Sequence, residues 1–124
     1  MGGTLLIPSG PGNTKHLHII LTDKCDDGQH LLVGLSSIKP GRPYDDACEV
    51  EVGDHRFVSK RSYVEYRLTK RDRASHLSKC VKGWTFTPHD DVTDALLNRI
   101  CDGLLISKFI SQGMRRYYQD QCGF

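Results

Sequence analysis

The sequence predicts a mainly β fold that closes into a small barrel and ends in two C-terminal helices. Three observations carry this expectation. Four or five short strand-like runs fall within about fifty residues with no helix between them. Proline- and glycine-rich breaks separate those runs. After Pro88 the apolar residues change from a period of two to one of about 3.6. At 124 residues the chain has the length of one domain. It divides into an irregular arm (1–14), the barrel (15–86) and the helices (88–118).

The first fourteen residues carry four glycines and two prolines, which favours irregular backbone with at most a short strand at Leu5–Ile7. His16–Thr22 is β-branched and uncapped, Asp23–Gln29 reads as a turn around Asp26-Asp27-Gly28, and His30–Ser37 is the partner strand of an antiparallel hairpin. Ile38–Ala47 contains Lys39-Pro40-Gly41-Arg42-Pro43 and reads as a long exposed loop. Cys48–Val52 alternates, and Gly53-Asp54 turns it toward Arg56-Phe57-Val58 as a second hairpin. Ser62–Leu68 follows as a strand, Asp72–Lys82 as one or two helical turns, and Trp84–Phe86 as a last short strand, with Trp84 and Phe86 in the core. Thr87-Pro88-His89-Asp90 carries helix-start signals. Val92, Leu96, Leu97 and Ile100 keep one face, and Gly103 ends that helix before a second that runs toward Tyr117.

The longest apolar runs, such as Leu17–Leu21, fall far short of the ~18 residues a bilayer span requires. Met1-Gly-Gly-Thr-Leu-Leu-Ile-Pro has no basic region ahead of an apolar stretch, so a cytoplasmic protein is expected. Five scattered cysteines without a C-x-x-C pair point to reduced thiols. A net charge of +2 argues against a generic polyanion binder, yet eight basic residues and only two acids lie between Lys60 and Lys82, which leaves room for a local basic face.

Three constellations are suited to chemistry. On a strand, His16 and His18 share one face roughly 6 to 7 Å apart, suitable for proton transfer or metal ligation. The run Gly53–Tyr66 crowds His55, Arg56, Ser59, Lys60, Arg61, Ser62 and Tyr63 around one turn, combining acid, base and phosphate-holding groups. Ser36-Ser37 closes the second strand, where strand-end hydroxyls face a rim. No phosphate loop, nucleophile elbow or H-E-x-x-H is present, which leaves nucleotide hydrolysis, α/β-hydrolase and zinc-peptidase chemistry without support. A metal site of His16 and His18 with His55, Cys25 or Cys48 matches no known ligand spacing, so neither metal nor cofactor is expected.

Lys15-His16-Leu17-His18-Ile19-Ile20-Leu21, followed by Leu31-Leu32-Val33-Gly34-Leu35-Ser36-Ser37, resembles the first core hairpin of PemK/MazF-like toxins. There a basic residue opens the first strand and a Thr/Ser pair closes the second. The resemblance covers roughly residues 12–70 and has the character of a divergent member. It implies an SH3-like barrel with appended helices, acting as a metal-independent endoribonuclease that cuts single-stranded RNA through the RNA's own 2′-hydroxyl. It also implies restraint by a small antitoxin protein and a possible homodimer. By position, Lys15 stands where the family has arginine, without the bidentate fork that grips a phosphate. Ser36 or Ser37 stands where it has its catalytic hydroxyl. From the residues themselves, His55, His16 or His18 is the candidate base, and Arg56, Lys60 or Arg61 the phosphate partner. The alternative is a non-catalytic SH3-like module whose 38–47 loop and basic 60–82 stretch grip an acidic partner or nucleic acid.

Overall fold

The computed structural model of the chain describes residues 2–8, 14–23 and 28–122. Its centre is β3 (Gln29–Ser37), in which Leu31, Leu32 and Val33 are all buried because both faces of the strand are covered. β2 (Lys15–Ile20) pairs with one edge of β3, and β1 (Thr4–Pro8) lies outside β2. On the other edge, β5 (Ser62–Val64) pairs with the end of β3 and β6 (Lys70–Arg73) with its beginning. β4 (Glu49–Val50) and β7 (Thr87–His89) complete an antiparallel sheet in the order β4-β5-β3-β2-β1-β7, with β6 also on β3. Helices α1 (Ala74–Lys82), α2 (Asp94–Ile106) and α3 (Gln112–Cys122) follow β6, β7 and α2 in turn.

The mixed β and helical class is as the sequence predicts, with two C-terminal helices. The barrel is not closed. β4 and β7 end the strand order and, among the described residues, do not pair with each other, so the sheet stays open. Burial comes from helices on its two faces instead. Leu17, Ile19, Leu21, Leu31, Val33 and Leu35 pack with Leu96, Ile100 and Leu104 of α2 and Tyr118 of α3. On the opposite face Leu5, Ile7 and Leu32 pack with Leu77 of α1 and Phe86. No helix among the described residues is long and apolar enough to cross a membrane.

Several element boundaries differ from expectation. The arm contains a full strand, Thr4–Pro8, which covers the otherwise open edge of β2. Part of the Asp23–Gln29 turn lies outside the described residues. β4 pairs with β5, and Arg56–Val58 is loop, so the second hairpin has a long connection in place of a tight Gly53-Asp54 turn. Trp84 is 79% exposed with a φ of +62°, and the last strand is Thr87–His89, three residues later than expected. α2 begins after Thr93, whose side chain accepts from the Leu96 N–H, and runs past Gly103 to Ile106.

The segment from β5 to β6 positions the site. Leu35 pairs with Val64 and Leu32 with Lys70, so three residues of β3 are spanned by six of the returning chain. The surplus forms a 3-10 turn, Tyr66–Leu68. It drives Tyr66 into the core, where its phenol donates to the Ile100 carbonyl at 2.6 Å, and leaves Glu65 beside β3 with its N–H on the Gly34 carbonyl at 2.9 Å.

Candidate functional site

β2 and β3 are paired only from His18↔Gly34 to Ile20↔Leu32. Beyond that pairing, the start of β2 and the end of β3 both border a cavity of about 610 Å³. Its other walls are Ser62, Tyr63 and Glu65, the 39–44 loop and the 57–60 loop. Both loops are fastened from a distance. Asp45 accepts from the Ala47 N–H at 3.0 Å and from the Ser107 hydroxyl at 2.6 Å, which ties the first loop to the end of α2. Asp54 accepts from the Glu51 N–H at 2.8 Å and from Arg99 at 3.2 Å, which ties the second to the middle of α2.

Lys15, His16, Ser36, Ser37, Ser59, Lys60, Ser62 and Tyr63 all line this cavity. Three sequence-distant segments thus meet at one cavity. Within the set, the Ser62 hydroxyl donates to the Lys60 carbonyl at 2.9 Å and is buried, which makes it a fastener of its own loop.

His55, Arg56, Arg61 and His18 are placed elsewhere. His55 is buried, with Nε2 2.6 Å from the Asp90 carbonyl and Nδ1 accepting from the Phe57 N–H at 3.1 Å. One ring nitrogen donates and the other accepts, so neither is left for a substrate proton. His55 is a tether between the 51–61 loop and the segment before α2, not the base. His55→Ala is expected to lower stability by about 1–3 kcal/mol, since it removes both hydrogen bonds of the buried imidazole, to the Asp90 carbonyl and from the Phe57 N–H. Thermal unfolding of the variant beside the wild type checks that expectation.

Arg56 pairs with Asp90 at 3.2 Å, and Arg61 pairs with Glu49 and, at 3.3 Å, with Glu51. The basic stretch is therefore no single face: Arg67 pairs with Glu65 and Arg71 lies over the Tyr117 ring at 4.7 Å.

The His18 ring lies against Gly34, where a Cβ would stand 3.0 Å from its Nε2. Its Nδ1 is 3.0 Å from the His16 carbonyl. Burial depresses its pKa to about 4, which keeps it neutral at physiological pH. Between pH 6.5 and about 4 the unfolded chain protonates this imidazole before the folded one does, so stability is lost as pH falls through that window. The expected loss is on the order of 2 kcal/mol. Urea unfolding of the wild type and His18→Gln across that range isolates it as the difference between the two curves.

Among the described residues no group of three His, Cys, Asp or Glu side chains is placed to hold a metal ion, so His16 and His18 are not joined by His55 or Cys48; Cys25 lies outside the described residues.

Glu65 is the residue that sequence reasoning missed. Its Oε2 accepts from the Ser36 hydroxyl at 2.9 Å and from the Tyr63 phenol at 3.3 Å, and its Oε1 accepts from Arg67 at 3.1 Å. Burial, then the Glu65 charge, pushes the Tyr63 phenol up, so it remains a donor. Lys39 and Arg42, which the sequence offers only within the 38–47 loop of the alternative binding module, also line the cavity. With Lys15 and Lys60 they put four cationic side chains on the cavity wall against the one carboxylate of Glu65.

No family model, curated protein or solved structure matches this chain. The cavity therefore has to be read from its own chemistry. It continues into a second cleft of about 230 Å³, which shares Pro43, Tyr44, Tyr63 and Glu65 with it and adds Arg67 and Phe109. The Tyr44 and Tyr63 rings are 5.3 Å apart and tilted, and Phe109 is 57% exposed. A cationic trough thus opens onto an aromatic one. Such a pair suits a ligand that carries phosphates and flat rings in alternation.

Proposed function

We propose that the protein is an endoribonuclease that cleaves single-stranded RNA by attack of the RNA's own 2′-hydroxyl. The observation that carries this reading is the continuity of the two clefts, cationic around Lys15, Lys39, Arg42 and Lys60 and aromatic around Tyr44, Tyr63 and Phe109, with Glu65, Ser36 and Tyr63 at their junction. Phosphates take the first cleft by charge, and a base takes the second by stacking.

In this mechanism the Glu65 carboxylate takes the 2′-proton, the 2′-oxygen attacks phosphorus, and the P–O5′ bond breaks. His16, across β3 from Glu65, returns a proton to the departing 5′-oxygen. The products are a 2′,3′-cyclic phosphate and a 5′-hydroxyl. Ser36 and Tyr63 hold the carboxylate in place, and the lysines and Arg42 offset the charge that builds on the phosphorane. The hairpin's resemblance to PemK/MazF-like toxins adds a biological setting, in which a small antitoxin segment occupies the same trough and holds the enzyme inactive.

Incubating the purified chain with a single-stranded oligoribonucleotide of mixed sequence, and with its 2′-deoxy counterpart, tests the reading. Cleavage of the first alone, with cyclic-phosphate ends, is the expected result. Binding of both without cleavage, weakening with salt, replaces it with the non-catalytic module.

A further inference from the structure

β6 runs directly into α1, and the junction sets three side chains in line. His76 Nδ1 lies 2.9 Å from both carboxylate oxygens of Asp72, and its Nε2 lies 3.4 Å from the Cys80 Sγ. His76 and Cys80 are four residues apart on α1, a spacing that stacks side chains along one helix face, and Asp72 meets His76 from β6. With the Nδ1 proton donated to Asp72, Nε2 is left as acceptor for the thiol. His76 also stands edge-on to the Phe86 ring at 6.0 Å, and the N–H groups of Thr85 and Phe86 donate to the Cys80 carbonyl. The imidazole and the backbone behind the thiol are thus held from outside the helix as well.

The other described thiols differ. Cys48 is buried and Cys101 half-buried, and burial pushes both thiols up. Both pack on the face of the sheet that α2 and α3 cover, whereas Cys80 packs against the Leu5, Ile7, Leu32, Leu77 and Phe86 cluster on the opposite face. Cys80 is half-buried, as Cys101 is, and exposed Lys79 and Lys82 neighbour it in the chain. Among the described thiols it alone is bonded to an imidazole.

We propose that Cys80 is a modification site oxidised by hydroperoxides, with His76 as its proton acceptor and Asp72 as the group that orients His76. The sulfur attacks one peroxide oxygen, the S–O bond forms as the O–O bond breaks, and the thiol proton passes through His76 to the departing oxygen. The products are a sulfenic acid and an alcohol, or water when the oxidant is hydrogen peroxide. Of the other described thiols, neither Cys48 nor Cys101 can reach across the sheet to close a disulfide on the sulfenic acid. None of the three residues lines the cavity near Ser36 and Glu65, so this site stands independently of the ribonuclease reading.

The test uses the full chain with hydrogen peroxide and dimedone, a carbon nucleophile that traps sulfenic acids, read by peptide mass spectrometry. Cys80 is expected to be trapped at least about ten-fold faster than Cys48 or Cys101, and His76→Gln to slow it by roughly ten-fold or more. Amide exchange over residues 74–82 reports whether α1 stays folded in the variant. If it does not, Asp72→Asn is read instead, with a smaller slowing in the same direction. Trapping at Cys80 no faster than at the other two overturns the proposal, as does an unchanged rate in a variant with α1 intact.

Discussion

Glu65→Gln is expected, on the proposed ribonuclease reading, to reduce cleavage of a single-stranded oligoribonucleotide by about 10²- to 10⁴-fold, the usual worth of a well-placed proton acceptor. The amide has nearly the shape of the carboxylate, so the 3-10 turn behind it and the Glu65 N–H to Gly34 bond at 2.9 Å are undisturbed. What changes is the ability to take the 2′-proton. On the same reading the loss should appear in kcat, with KM nearly constant, because the side chains proposed to hold phosphate are Lys15, Lys39, Arg42 and Lys60, which line the cavity with Glu65. Ser36→Ala should cost less, since Tyr63 and Arg67 still donate to the same carboxylate. A Glu65→Gln enzyme that retains wild-type kcat removes Glu65 from the chemistry and leaves His16 as the sole base. A rise in KM alone assigns Glu65 to binding.

What was legible in the sequence follows from how local each signal is. The β2–β3 hairpin is read correctly because its two apolar runs, within Lys15–Ile20 and Gln29–Ser37, are each written in consecutive residues. β6 is not legible, since Lys70-Arg71-Asp72-Arg73 has no strand propensity and becomes a strand only because the edge of β3 offers it partners. β7 contains Pro88, which an end strand tolerates because its missing N–H deprives no neighbour. The site divides the same way. Lys15, His16, Ser36 and Ser37 stand out as polar residues at strand ends. Glu65 does not, because its partner Ser36 is 29 residues away and the two meet only through the 3-10 turn. His55 misled for the complementary reason: an imidazole in a turn suggests chemistry until the Asp90 carbonyl, 35 residues on, is seen to occupy it.

Gly103→Ala is expected to destabilise the protein by about 2 kcal/mol, against a helix-propensity gain of about 1 kcal/mol that alone would stabilise it. The sequence offers Gly103 as a helix end, but α2 continues to Ile106 and the glycine serves close approach instead. A Cβ there would stand 2.4 Å from the Tyr66 phenol oxygen, 3.0 Å from the Cys48 Cβ and 3.1 Å from the Ala47 carbonyl. All three are fixed: Tyr66 is fully buried and bonded to Ile100, and Ala47 is held through Asp45. Tyr66→Phe alone should cost about 1–2 kcal/mol for the lost hydrogen bond. In the Gly103→Ala background it also removes the atom with the shortest contact, so its cost should shrink by more than about 0.5 kcal/mol, a coupling measurable in a double-mutant cycle. Urea unfolding of the four proteins decides the point. A Gly103→Ala protein more stable than wild type would mean that α2 does not sit this close to the 3-10 turn. The turn that presents Glu65 beside Ser36 would then lack the buttress that Tyr66 gives it.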